Sequence, residues 1–195
     1  VFAGQINDGT QDSTSITYGG SGMTERWDFA RVTTLTWMMN AGYSLAGQAT
    51  GAQTVTGTLA GAPGRHALQV ISMTGVDQTT PVGTPATAQT DASPISVTVG
   101  SVGTDDLVVD QVFALSNTPP GVDADQTERT AQDVTGSYRT KTSTQPGTAG
   151  GIMSWSMINT VDGMMLGAIA FKPAAAAAGW GPLIGLRNNR LVGAP

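Results

Sequence analysis

The 195-residue sequence contains no cysteine and one histidine, and only 12 % of it is charged. Without cysteine there is no disulfide and no thiolate-held metal, and His66 alone cannot build a zinc site. Glu, Lys and Leu, the usual material of helices, are scarce. No run of about 18 apolar residues occurs, so no helix long enough to cross a bilayer is expected, and no membrane partner. A basic excess is missing too: the formal net charge is −5 and the pI is near 4.5, which argues against a nucleic-acid backbone as partner. Neither a phosphate-binding loop, a dinucleotide fingerprint nor a nucleophile elbow is found. The chain is therefore expected to be non-enzymatic and to need no cofactor.

What the sequence has instead is 26 glycines and abundant Thr, Ser and Val. β-Branched residues suit a pleated surface and glycine suits turns, so short strands joined by tight connections are expected. Alternation of period two recurs in "QTVTGTL" (53–59), "PISVTV" (94–99) and "IMSWSMI" (152–158), where Met153, Trp155 and Met157 share one bulky face. More continuous apolar runs, "ALQVISM" (67–73), "DLVVDQVFAL" (106–115) and "MMLGAIAF" (164–171), predict central strands covered on both faces. "SYRTKTST" (137–144) reads as an edge or solvent-facing strand, with Arg139 and Lys141 discouraging edge-to-edge pairing. Turn signals at 19–20, 62–64, 118–121, 145–151 and 161–163 bound these segments. The pattern predicts an all-β fold, an antiparallel, jelly-roll-like β-sandwich over residues 1–173.

"SMTGVDQTTPVGT" (72–84) is the most distinctive stretch, an apolar strand closed by Gly75 and a Thr-Thr-Pro. Together with "SITYGGSGMT" (15–24), "VTVGSVGTDDLVVD" (97–110) and "MSWSMINTVDGMMLGAIAFKP" (153–173), it resembles a β-sandwich module of bacterial secreted proteins and phage structural proteins. That resemblance implies a sandwich fold and a non-catalytic surface or assembly role, and it transfers no catalytic residue. Modules of that kind begin with one more strand, ahead of the stretch matching "VFAGQI". That strand is expected either to lie outside the sequence or to come from a neighbouring subunit.

After Pro173 the composition changes, and residues 174–195 are expected to form an extended docking arm. Trp180, Leu183, Ile184, Leu186, Leu191 and Val192 need cover from water, each burial being worth roughly 1.5–3 kcal/mol. Arg187 and Arg190 give the arm +2 from side chains, with no carboxylate among them, against −7 for the rest of the chain. Such an arm suits an acidic neighbour, for instance another copy of the same body.

The remaining candidates are few. Trp155 and Trp37 are expected in the core, the latter because it shares a face with Leu35 and Met39. Trp27, between Arg26 and Asp28, is the best candidate for an exposed ligand-contacting aromatic. Asp123, Asp125 and Glu128 lie in one loop and Asp105, Asp106 and Asp110 form a second acidic group, but neither has the spacing of a calcium loop, so no metal is expected. The reading that follows is a virion protein, a capsid decoration or tail component of a phage. It would be homo-oligomeric, partnered by other virion proteins or by copies of itself, and attached through the arm. The alternative is an extracellular or cell-surface adhesion module that binds a surface glycan.

Overall fold

The computed structural model describes residues 1–8, 13–33, 36–48, 51–61, 64–135, 137–158 and 161–175. Among the described residues fifteen strands follow in order: β1 (Phe2–Asp8), β2 (Ser13–Tyr18), β3 (Ser21–Gly22), β4 (Thr24–Val32), β5 (Trp37–Ser44), β6 (Val55–Leu59), β7 (His66–Ile71), β8 (Ala86–Thr90), β9 (Ile95–Thr98), β10 (Leu107–Ser116), β11 (Gly121–Val122), β12 (Thr127–Thr135), β13 (Tyr138–Pro146), β14 (Ile152–Ser156) and β15 (Val161–Phe171). All pairings are antiparallel. The all-β sandwich expected from the alternation is what forms.

Four sheets stack in layers. The two inner ones run β4-β5-β1-β7 and β12-β13-β10-β15-β8, and the outer ones run β3-β2-β6 and β11-β14-β9. Period two sorts the side chains of each inner strand between two cores. In β10, Val109, Phe113 and Leu115 meet the β1 sheet, where Phe2, Ile6 and Met38 wait. Val108, Val112 and Ala114 point the other way, onto Val97, Met153 and Trp155 of the outer sheet. Ala3, Ala41 and Tyr43 likewise leave the inner sheet to pack on Ile16 and Met23. Double cover explains why β10 and β15 read as nearly unbroken apolar runs. Trp155, expected in the core, is fully buried.

Three expectations need correction. "ALQVISM" supplies an edge strand, not a central one: β7 ends its sheet beside β1 and is only half-buried along much of its length. "SYRTKTST" is not an edge. It forms β13, hydrogen-bonded to β12 on one side and β10 on the other, with Thr140, Thr142, Ser143 and Thr144 buried. Its Arg139 and Lys141 reach across to Asp133 (2.8 Å) and Glu128 (2.7 Å) on β12, so those charges pair within the sheet. Trp37 is not core but 44 % exposed, opposite the exposed Val32 at the β4–β5 tip. β1 already has a neighbour on each side, β5 and β7.

Glycines set the spacing between the inner sheets. The Trp27 indole lies against Gly42 of β5 and Gly167 of the facing β15, and a Cβ at either position would overlap its ring. Gly within a strand commonly marks such a close approach. The Nε1–H of Trp27 donates to Asn40 Oδ1 (3.0 Å), and Asn40 Nδ2 donates to the Gln111 carbonyl (3.3 Å) across the interface. Gln69, on β7, donates to the Thr140 carbonyl (3.2 Å) and accepts the Thr140 hydroxyl (3.0 Å). Polar contacts therefore fix how the two inner sheets register.

Candidate functional site

The distinctive 72–84 stretch caps one end of the sandwich. Gly75 adopts φ +73°, which lets the chain turn sharply after Met73 and Thr74. The Asp77 carboxylate then accepts the N–H groups of Thr79 (2.7 Å) and Thr80 (3.0 Å), closing a tight turn. Those two hydrogen bonds hold its pKa below the ordinary carboxylate value. On the far side of the turn the chain grips the end of β15. Lys172 N–H donates to the Pro81 carbonyl (2.9 Å), Asp77 N–H donates to the Lys172 carbonyl (2.9 Å), and Val82 bridges Phe171. The strand ending thus ties two parts of the chain that are about ninety residues apart in sequence.

Beside this clamp runs a groove of about 450 Å³, whose walls include Tyr18, Leu45, Ala46, Met73, Val76 and Gln78. A smaller cavity of about 110 Å³ lies along the same 73–76 segment, between Leu107, Phe171 and Pro173, with Asp105 at its margin. The chain leaves the body here. Pro173 bridges Val76, and Ala174 N–H donates to the Gly75 carbonyl (2.7 Å), so the outgoing residues start on the groove's own wall. Trp180, Leu183, Ile184, Leu186, Arg187, Arg190, Leu191 and Val192 lie outside the described residues.

The second acidic group does not act as one. Asp105 is exposed in a turn. Asp106 is buried, accepts Gly103 N–H (2.8 Å) and pairs with Lys172 (2.6 Å). Asp110 is fully buried on β10, under the β14 layer. Its Oδ1 accepts the amide and the hydroxyl of Ser143 (2.8 Å each), and its Oδ2 accepts Trp155 Nε1–H (2.7 Å) and Gln126 Nε2–H (3.3 Å). Gln126 extends the network by accepting Ser154 N–H (2.7 Å). Desolvation pushes the Asp110 carboxyl up to about 7, against the opposing pull of the Ser143 and Trp155 hydrogen bonds. Every partner is a backbone or structural side chain, so the network stitches β10, β13 and β14 together. Among the described residues no group of three or more His, Asp or Glu stands close enough to hold a metal ion.

Trp27 is not the exposed aromatic its charged neighbours suggest. It is 5 % exposed and wedged between sheets, leaving no face for a ligand. Asp28 follows it on the opposite face of β4, whereas Arg26 is the extra residue of a β-bulge between Glu25 and Trp27 and donates its Nε–H to Ser44 Oγ (2.7 Å). Trp37, at the first residue of β5, is the exposed tryptophan among the described residues. His66 opens β7 and is exposed, as expected for the mouth of a strand. At the opposite end from the groove, Ile158 is 93 % exposed. Comparison with family models, with curated proteins and with solved structures found no match.

Proposed function

We propose that the chain is a non-enzymatic structural protein of a phage virion, a capsid decoration or tail component displayed in several copies and attached through residues 174–195. The supporting observation is where the chain's chemistry goes. The buried polar side chains that could have built a reaction centre, Asp110, Gln126, Gln69 and Asn40, are engaged in holding layers together. The apolar and cationic segment is attached at one end of a stiff body, where it leaves the Gly75 carbonyl. A space-filling body with a gripping terminus suits an assembly component. The test is incorporation: particles grown with a chain lacking residues 176–195 should carry none of it, and normal occupancy overturns the proposal.

One observation favours a second reading, a surface glycan-binding module. Trp37 presents an indole to solvent beside Val32, as a sugar-stacking residue would. A glycan array separates the two readings: specific sugar binding that disappears in Trp37→Ala supports adhesion, and an array blank for both chains refutes it.

A further inference from the structure

The groove at the clamp end and the arm that starts on its wall are parts of one device. We propose that the groove is the seat of the chain's own segment Trp180–Leu186, which lies in it whenever the arm is not engaged elsewhere. This stands on the geometry of the body and does not depend on the virion reading. Three observations carry it.

The first is position. Ala174 is hydrogen-bonded to Gly75, which lines the groove, and Trp180 is five residue steps beyond Ala175. At about 3.3–3.6 Å per extended residue those steps span roughly 17 Å, enough to round the 73–76 segment and enter. The second is shape and chemistry. A space of about 450 Å³ falls within the range that takes a compact apolar ligand, and Leu45, Met73 and Val76 are half-buried side chains with one flank still open. Trp180, Leu183, Ile184 and Leu186 are the large apolar side chains nearest to it along the chain. The third is charge. Asp77 lies between the groove-lining Val76 and Gln78, and Asp105 lines the smaller cavity along the same segment, so Arg187 and Arg190, which follow the seated segment, would arrive near two carboxylates. Attachment to the same chain decides between the body's own groove and that of another copy. A link of a few residues gives an effective concentration on the order of millimolar, above that of free copies in dilute solution.

The lack of native cysteine allows a direct test on the full-length chain. Gln78→Cys places a thiol on the groove wall, Leu183→Cys places one in the arm, and Ile158→Cys, about one strand length away at the other end, serves as the control. Ala46→Cys is a second groove position should Gln78→Cys disturb the turn. Under mild oxidation, either groove pair should close into an intramolecular disulfide at least tenfold faster than the control pair, leaving a monomer on a non-reducing gel. Disulfides found only in covalent dimers mean that the arm serves another copy, and equal or absent reaction in groove and control pairs means that it seats elsewhere; each overturns the proposal. Particle incorporation is measured separately, so failure here is distinguishable from failure of the virion reading.

Discussion

Replacing Asp110 with Asn should flatten the pH dependence of stability. The carboxyl is displaced from an ordinary value of 3.8 to about 7 in the folded chain. Below pH 3.8 both folded and unfolded chains hold the proton, so its contribution to stability is complete there. As pH rises toward 7 the unfolded chain releases the proton and the folded chain retains it, which favours unfolding. Above 7 both are ionised and the loss is complete. At 1.36 kcal/mol per unit, the window represents a loss of roughly 4 kcal/mol. Protonation is tolerated because the Ser143 hydroxyl can turn from donor to acceptor. In Asp110→Asn an amide N–H meets a neighbouring donor, Trp155 Nε1–H or Ser143 N–H, for a pH-independent cost of about 1–3 kcal/mol. Urea unfolding of both chains at intervals from pH 4 to pH 8 gives the comparison. The advantage of the parent over the variant should shrink by a few kcal/mol with rising pH. Parallel curves, or an advantage that grows with pH, would refute the assignment of burial as the dominant influence on this carboxyl.

Trp27→Ala should cost about 3–5 kcal/mol in chemical denaturation, because it empties the space between β5 and β15; a change below 1 kcal/mol would contradict the wedge. Gly167→Ala should destabilise by about 1–3 kcal/mol through overlap with the same indole, and pairing it with Trp27→Ala should recover part of that loss, which a double-mutant cycle reads directly. Trp37→Ala should leave the unfolding midpoint almost unchanged, within about 0.5 kcal/mol, as expected of an exposed hairpin tip.

Much of the fold is legible in the sequence where burial and hydrophobicity agree. β10 and β15 show as apolar runs because both their faces are covered, and Trp155 shows as core because Met153 and Met157 share its face. β13 is not legible in this way: its buried Thr140, Thr142, Ser143 and Thr144 hydrogen-bond to Gln69, Thr130, Asp110 and Arg129 on other segments, so hydropathy reports it as solvent-facing. Trp27 was hidden by its charged neighbours: Asp28 takes the opposite face of the strand, and Arg26 sits in a β-bulge where its guanidinium bonds Ser44, so the polarity of both is compatible with burial of the indole. Gly42 and Gly167, small residues inside strand patterns, were the signal that something large lay against them. Asp110 carried a signal too, one charge inside Val108-Val109 and Val112-Phe113, but sequence alone does not tell which layer covers it. At the clamp end, the turn was readable from Gly75, Asp77 and Pro81. The groove was not, since it forms only where β2, β5 and the 73–76 segment converge.

The last described strand, β15, lies inside its sheet, between β10 and the edge strand β8. A fragment ending before Val161 would therefore expose the backbone of β10 and β8 along facing rims, each able to recruit a foreign strand. Translation delivers that strand after the other fourteen described ones, so a nascent chain keeps those rims open until it has passed Phe171. Fragments cut between Ser156 and Val161 are accordingly expected to aggregate, and circular permutation that moves β15 ahead of β10 would shorten the vulnerable interval.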